Sequence, residues 1–248
     1  MTDREYPRLL GAGDGCVVVE YGDSIDMEVN TRVAALAASV REAEPPGFLD
    51  AVPTYRSLAV YFDPVVADVD ALYRNLERMM TSSGAGEGGA KRKVVVVPTL
   101  YGGEHGPDLG NVAEHTGLPE EEVVRRHAAN DCYCYMLGFT PGFAYLGGMD
   151  QSLETPRLKN PRELIPAGSV GIAGKQTGIY SIASPGGWQL IGRTPMMMFD
   201  PGRDPAIFLD AGMWVRFRPA DRAEFDEIEA ATASRSYQPE ILEEEASS

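Results

Sequence analysis

The run GIAGKQTGIY sets Gln176, Thr177 and Tyr180 just behind a glycine-rich turn, so polar side chains project from a stretch otherwise made of Gly and Ile. A buried polar group must find a partner, and a substrate amide or carboxylate can supply one. The alternative is that Gln176 and Thr177 satisfy neighbouring loop backbone. Arg157, Lys159, Arg162, Lys175 and Arg193 are a cluster of cations in sequence. Guanidinium forks suit carboxylate or phosphate, yet an arginine ending a strand is often a surface ion-pair partner. His127, just ahead of CYCYML, titrates in a range suited to proton transfer, or it is a structural histidine steadied by a helix C-terminus. Asp108, in GPDL, is a site carboxylate or an N-cap, and capping is the more economical account. Trp188 and Tyr145 are pocket walls or core. His105 and His115 are weaker candidates, His115 because it lies on a short surface-type helix.

Some chemistry is excluded by spacing. The run GSVGIAGKQT resembles the end of a phosphate-binding loop, but that loop needs four residues between its glycines and Ser or Thr directly after the Lys. Here five residues separate Gly168 from Gly174, Gln176 follows Lys175, and IYSIASPGG reads as strand and turn where a helix is required. Cys16, Cys132 and Cys134 lack the partner ligands of a zinc site and read as core thiols, so no metal is expected.

The elements that must position these groups fall into two textures. Residues 16–21 read as a strand, 25–43 as a helix on the spacing of Ile25, Val29, Val33, Leu36, Ala37 and Val40, 49–53 and 57–62 as strands, and 68–81 as a helix capped by Asp68. A glycine-rich loop at 82–90 and the strand KVVVVP complete a β-α-β-β-α-β order. That order is the ferredoxin-like split βαβ unit, expected over residues 1–98. Beyond Pro98 come two short helices, 108–116 and 119–129. From Asp131 on, short apolar runs are punctuated by Gly and Pro about every ten residues, as in a barrel or sandwich, expected over 99–219. Residues 220–248 read as a terminal helix and a solvated acidic tail.

The formal charge of −15 argues against a nucleic-acid surface, because such binding depends on neutralising phosphates with Lys and Arg. No apolar run reaches the roughly 18 residues of a spanning helix. A soluble cytoplasmic protein is the expectation, with no membrane association.

Four motifs carry a family resemblance: GGEHGPDL, YMLGFTPGFAYLGG, IPAGSVGIAGKQTGIY and SPGGWQLIGRTP, in that order. They resemble the signature of the 5-oxoprolinase B subunit family, also called allophanate hydrolase subunit 1 or KipI-like. The resemblance implies an α+β chain, a ferredoxin-like N-terminal α/β domain followed by a cyclophilin-like β-barrel. It implies a share in the ATP-dependent hydrolysis of 5-oxo-L-proline to L-glutamate, with A and C subunits as partners and ATP used by the assembled complex at a site shared with, or held by, a partner. Family members similarly carry a histidine ahead of the strand that follows His127. On this reading Arg157, Arg162, Arg193, Gln176, Thr177 and Tyr180 bind the small-molecule substrate, and His127 or Asp108 handles protons. The resemblance also admits an inhibitor of a sensor histidine kinase and a urea- or allophanate-type carboxyltransferase subunit. Ser181 and Ala144 stand where the family often has proline, which loosens two turns and removes no functional group.

Overall fold

The computed structural model describes residues 5–82 and 91–245, and the chain divides into two compact units between Ala90 and Lys91. The first unit contains β1 (Arg8–Gly11), β2 (Cys16–Glu20), α1 (Met27–Ala43), β3 (Phe48–Pro53), β4 (Ser57–Phe62) and α2 (Val69–Ser82). α1 begins where the Asp26 carboxylate accepts the amides of Glu28 and Val29 at 2.8 and 3.1 Å, and its inward face buries Val33, Leu36, Ala37 and Val40. Asp68 caps α2 in the same way, accepting from the Ala71 amide at 2.9 Å.

The strands form one antiparallel sheet in the order β1-β2-β4-β3. The three strands of the expected ferredoxin-like order are present, but the fourth place is taken by β1. The strand expected there, KVVVVP, is β5 (Arg92–Tyr101) and belongs to the second unit, so the division falls before Lys91 and not after Pro98. The reason is pairing. β1 joins β2 through a short hairpin, Gly11 opposite Val17, whereas both sides of β5 are taken by strands of the second unit. The glycine-rich loop expected at 82–90 lies, after Ser82, outside the described residues.

The second unit is a closed barrel. Its remaining strands are β6 (Cys132–Leu137), β7 (Ala144–Gly147), β9 (Ser169–Ala173), β10 (Gln176–Ile179), β12 (Gln189–Arg193) and β13 (Trp214–Pro219). Pairing runs β12-β9-β10-β7-β6-β13-β5, and β5 returns to β12 through Gly192 opposite Tyr101. Closure leaves no open edge in the ring, which removes the aggregation liability of an unpaired strand. The core is apolar, with Val95, Val97, Leu146, Val170, Ile172, Ile191, Val215 and Phe217 buried together. α3 (Leu109–Thr116) and α4 (Glu120–Ala129) add Leu109, Val112 and Val123 to it. A two-stranded sheet of β8 (Arg162–Ile165) and β11 (Ser184–Gly186) stands beside the barrel.

α5 (Arg222–Ala233) matches the expected terminal helix, but the acidic end is not a solvated tail. Residues Ile241–Glu244 form β14 on β5, with Ile241 opposite Val95 and Glu244 opposite Arg92. Charge explains the pairing. Arg92 and Arg216 each contact both Asp131 and Glu244 at 2.6–2.9 Å. The hydrogen bond from Arg216 is the leading cause that lowers the pKa of Asp131 and of Glu244. Carboxylates depressed in the folded state stabilise it fully above their ordinary range near 4, and that stability is lost as pH falls through the lowered values. Glu244→Gln is expected to speed amide exchange over Ile241–Glu244 severalfold at neutral pH while leaving the barrel core unchanged. Unaltered exchange there would assign β14 to backbone pairing alone. Among the described residues, no helix is long and apolar enough to cross a membrane.

Candidate functional site

The expected site residues separate into three places. His127 lies near the end of α4, 1% exposed, with Phe217 against its ring at 4.5 Å. Its Nδ1 is 2.8 Å from the Tyr101 hydroxyl, and its Nε2 is 2.7 Å from Thr177 Oγ1. Thr177 donates its one proton to the Gly171 carbonyl at 3.1 Å, so it accepts from Nε2–H and leaves Nδ1 to accept from Tyr101. The side-chain polar atoms of all three residues are thereby satisfied. Burial holds His127 neutral, its pKa pushed down to about 3, and pushes the Tyr101 phenol up. His127 and Thr177 are thus placed as internal polar groups that lock α4 to β5 and β10, and the proton-transfer and substrate-binding roles expected of them are not supported by this placement.

Asp108 is also buried, but its carboxylate does not cap α3. One oxygen accepts from Arg162 Nη2 at 2.7 Å and the other from the Leu190 amide at 2.7 Å. Both the capping account and the proton-handling role give way to a clamp joining the start of α3 to β8 and β12. A charge-assisted pair with an arginine offers a carboxylate more than one exposed backbone amide does. Arg193 ends β12 and donates from Nε to the Ala167 carbonyl at 3.0 Å, while Gln176 opens β10 and is half-buried.

The third place is a pocket of about 220 Å³ lined by Phe139, Phe143, Tyr145, Arg157, Tyr180, Pro185, Gly186, Gly187 and Trp188. Only Arg157 and Tyr180 of the expected binding residues line it. Gln176, Thr177, Arg162 and Arg193 do not. Phe143 is its hub, meeting Tyr145, Tyr180 and Trp188 edge-to-face with centroids 5.2, 5.7 and 5.7 Å apart. The Arg157 guanidinium lies 5.9 Å from the Trp188 ring centroid, an exposed cation held over an aromatic face. Burial raises the Tyr180 pKa, opposed by Arg157 and by the Trp188 backbone amide that donates to the phenol oxygen, and the phenol stays protonated. Glycine is required at Gly186, because a β-carbon there would overlap the Tyr180 hydroxyl. Trp188, 5% exposed, is both pocket wall and core, which resolves its two readings together.

Such a pocket suits a small ligand with one negative charge and a compact apolar body. It lies below the roughly 300 Å³ at which pockets for drug-sized molecules begin. Phe139, Phe143 and Pro185 join the site without having been singled out from the sequence. Their signal was the packing of Gly, Pro and aromatic residues in FTPGF and SPGGW. The three cysteines are buried, and desolvation pushes Cys132 and Cys134 up to about 12, which keeps them unreactive thiols.

The match of one family model across both the four-stranded unit and the barrel places the chain among carboxyltransferase-domain proteins. The family model for the carboxyltransferase domain, subdomain C and D, matches residues 7–209. The 5-oxoprolinase B subunit of Bacillus subtilis (strain 168) is 41% identical over 215 residues, 83% of this chain and 89% of that one. The 5-oxoprolinase B subunit of Escherichia coli O157:H7 is 42% identical over 208 residues, covering 84% and 93%. Among solved structures, TTHA0988 superposes with a TM-score of 0.75 at 38% identity over 83% of this chain. The chain spans about 40% of the TTHA0988 chain. The Kluyveromyces lactis urea amidolyase is alike in fold alone, with a TM-score of 0.74 at 21% identity, covering 95% of this chain and 16% of that one. The chain belongs to the 5-oxoprolinase B subunit family.

Proposed function

We propose that the chain is the B subunit of an ATP-dependent 5-oxoprolinase, which together with A and C subunits hydrolyses 5-oxo-L-proline to L-glutamate in the cytoplasm. The observation that carries this is the 41–42% identity to 5-oxoprolinase B subunits over more than four-fifths of the chain. The pocket supports it in size and charge. 5-Oxoproline is a five-membered lactam with one carboxylate. Arg157 is placed to take the carboxylate, and the faces of Trp188, Phe143 and Tyr180 to cover the ring and exclude water from it.

A lactam carbonyl is a poor electrophile, and phosphorylation of its oxygen makes the ring carbon attackable. Neither the Lys175 turn nor the aromatic pocket fits the nucleotide for that step. Lys175 is followed by β10 where a phosphate loop needs a helix, and the 220 Å³ pocket is too small. We place ATP on a partner subunit, and the part of this chain is to bind and orient the lactam. The C subunit, similar to allophanate hydrolase subunit 2, and the A subunit are the partners.

5-Oxoproline-dependent ADP formation tests the reading. The purified chain alone is expected to show negligible turnover, and addition of the A and C subunits to restore it. Robust turnover by the single chain overturns its incompleteness, and an inactive reconstituted complex overturns the function.

A further inference from the structure

Phe139 departs from what packing alone asks in two ways. Large apolar side chains are normally withdrawn from water, yet this ring is 68% exposed. Its backbone lies in the left-handed region at φ 64, which a bulky residue rarely adopts, although Gly138 precedes it directly. The loop that carries it is well built. Gly138 donates to the Phe143 carbonyl at 3.1 Å, Thr140 to Gly138 at 2.7 Å and Phe143 to Thr140 at 3.1 Å. Ser181 Oγ ties the loop to the barrel through the Pro141 carbonyl at 2.6 Å. A closed and anchored loop thus holds an aromatic ring out in an unfavourable backbone conformation, a combination found where strain serves a site.

The ring stands edge-on to Phe143 at 5.7 Å, so it is the outermost member of the ring cluster that walls the pocket. It also helps to line a shallow depression of about 330 Å³ formed by Leu137–Gly142 and Ile207. We propose that Phe139 is the specificity-determining wall of the pocket, its ring lying against the bound lactam and favouring a compact cyclic monoanion over the open-chain product. The inference rests on the functional reading above. The lactam presents an apolar ring and an uncharged amide to this wall. Hydrolysis adds one water across the ring C–N bond, and the opened product carries a second carboxylate and an ammonium group. Desolvating those charges against a phenyl ring is unfavourable, so the wall that retains substrate disfavours product.

The test compares wild type, Phe139→Ala and Phe139→Leu in the complex reconstituted with A and C subunits. It reads KM for 5-oxoproline, kcat and the inhibition constant for L-glutamate. Phe139→Ala is expected to raise KM about tenfold with kcat within about twofold. Glutamate inhibition is not weakened, so the preference for lactam over glutamate falls by about the same factor, and Phe139→Leu recovers most of it. Tm stays unchanged because the ring is exposed. An unaltered lactam-to-glutamate preference, or a Tm loss that accounts for the kinetic change, overturns the assignment of Phe139. A wild-type complex without 5-oxoproline turnover overturns the functional reading, and this inference with it.

Discussion

Arg157→Ala in the reconstituted complex is expected to lower kcat/KM for 5-oxoproline about a hundredfold while the chain folds as before. A charge-assisted hydrogen bond contributes on the order of 1.5–3 kcal/mol, and each 1.4 kcal/mol is about tenfold. The fold loses little, because Arg157 is exposed and its contact over Trp188 is of a kind worth about 0.5–1 kcal/mol at the surface. Arg157→Lys keeps the charge without the planar fork and should fall between the two. Steady-state kinetics beside thermal unfolding checks this. Full activity in Arg157→Ala would move the carboxylate site away from this pocket. Arg193→Ala is the informative companion, since Arg193 lies outside the pocket lining.

The opposite pattern is expected of His127. His127→Ala leaves the Tyr101 hydroxyl and Thr177 Oγ1 without their buried partner and opens a cavity against Phe217. The orphaned Tyr101 hydroxyl costs about 1–3 kcal/mol, and the bond lost at Thr177, which keeps its contact with Gly171, and the cavity add to it, so a loss of about 3–5 kcal/mol is expected. That corresponds to a fall of roughly 10 °C or more in Tm for a unit of this size. Activity per folded molecule should stay close to wild type. A large loss of kcat with Tm unchanged would restore His127 as a proton-transfer group.

The same residue sets an acid limit. Its folded pKa, about 3, lies below the ordinary histidine value near 6.5. The unfolded chain therefore binds the extra proton first. The stability contributed by the neutral ring is complete above about pH 6.5 and declines as pH falls towards 3. A His127→Gln chain should show a flatter Tm profile between pH 6.5 and 5, above the window in which the contributions of Asp131 and Glu244 are lost.

Local periodicity made much of the fold legible. α1 was readable because Val33, Leu36, Ala37 and Val40 recur at the spacing of one helical face, and that face is the buried one. β5 was readable as a strand from its valines, but not as a barrel strand. It runs parallel to β13, with Val94 opposite Trp214, and no local pattern names a partner so distant in the chain. The same limit misassigned the fourth strand of the first sheet, where a hairpin partner a few residues away takes the place that β5 was expected to fill.

The site divides along the same line. The chain by itself determined the family through its four ordered motifs, and the Gly, Pro and aromatic residues of FTPGF and SPGGW marked segments that wall the pocket. Only the tertiary structure decided which polar groups face outward. His127 meets Tyr101 and Thr177, 26 and 50 residues away, and Asp108 meets Arg162 and Leu190, 54 and 82 residues away. A titratable side chain acts or is silenced according to its burial and partners, and closure of the barrel brings those partners together from segments whose separation in sequence carries no record of their contact.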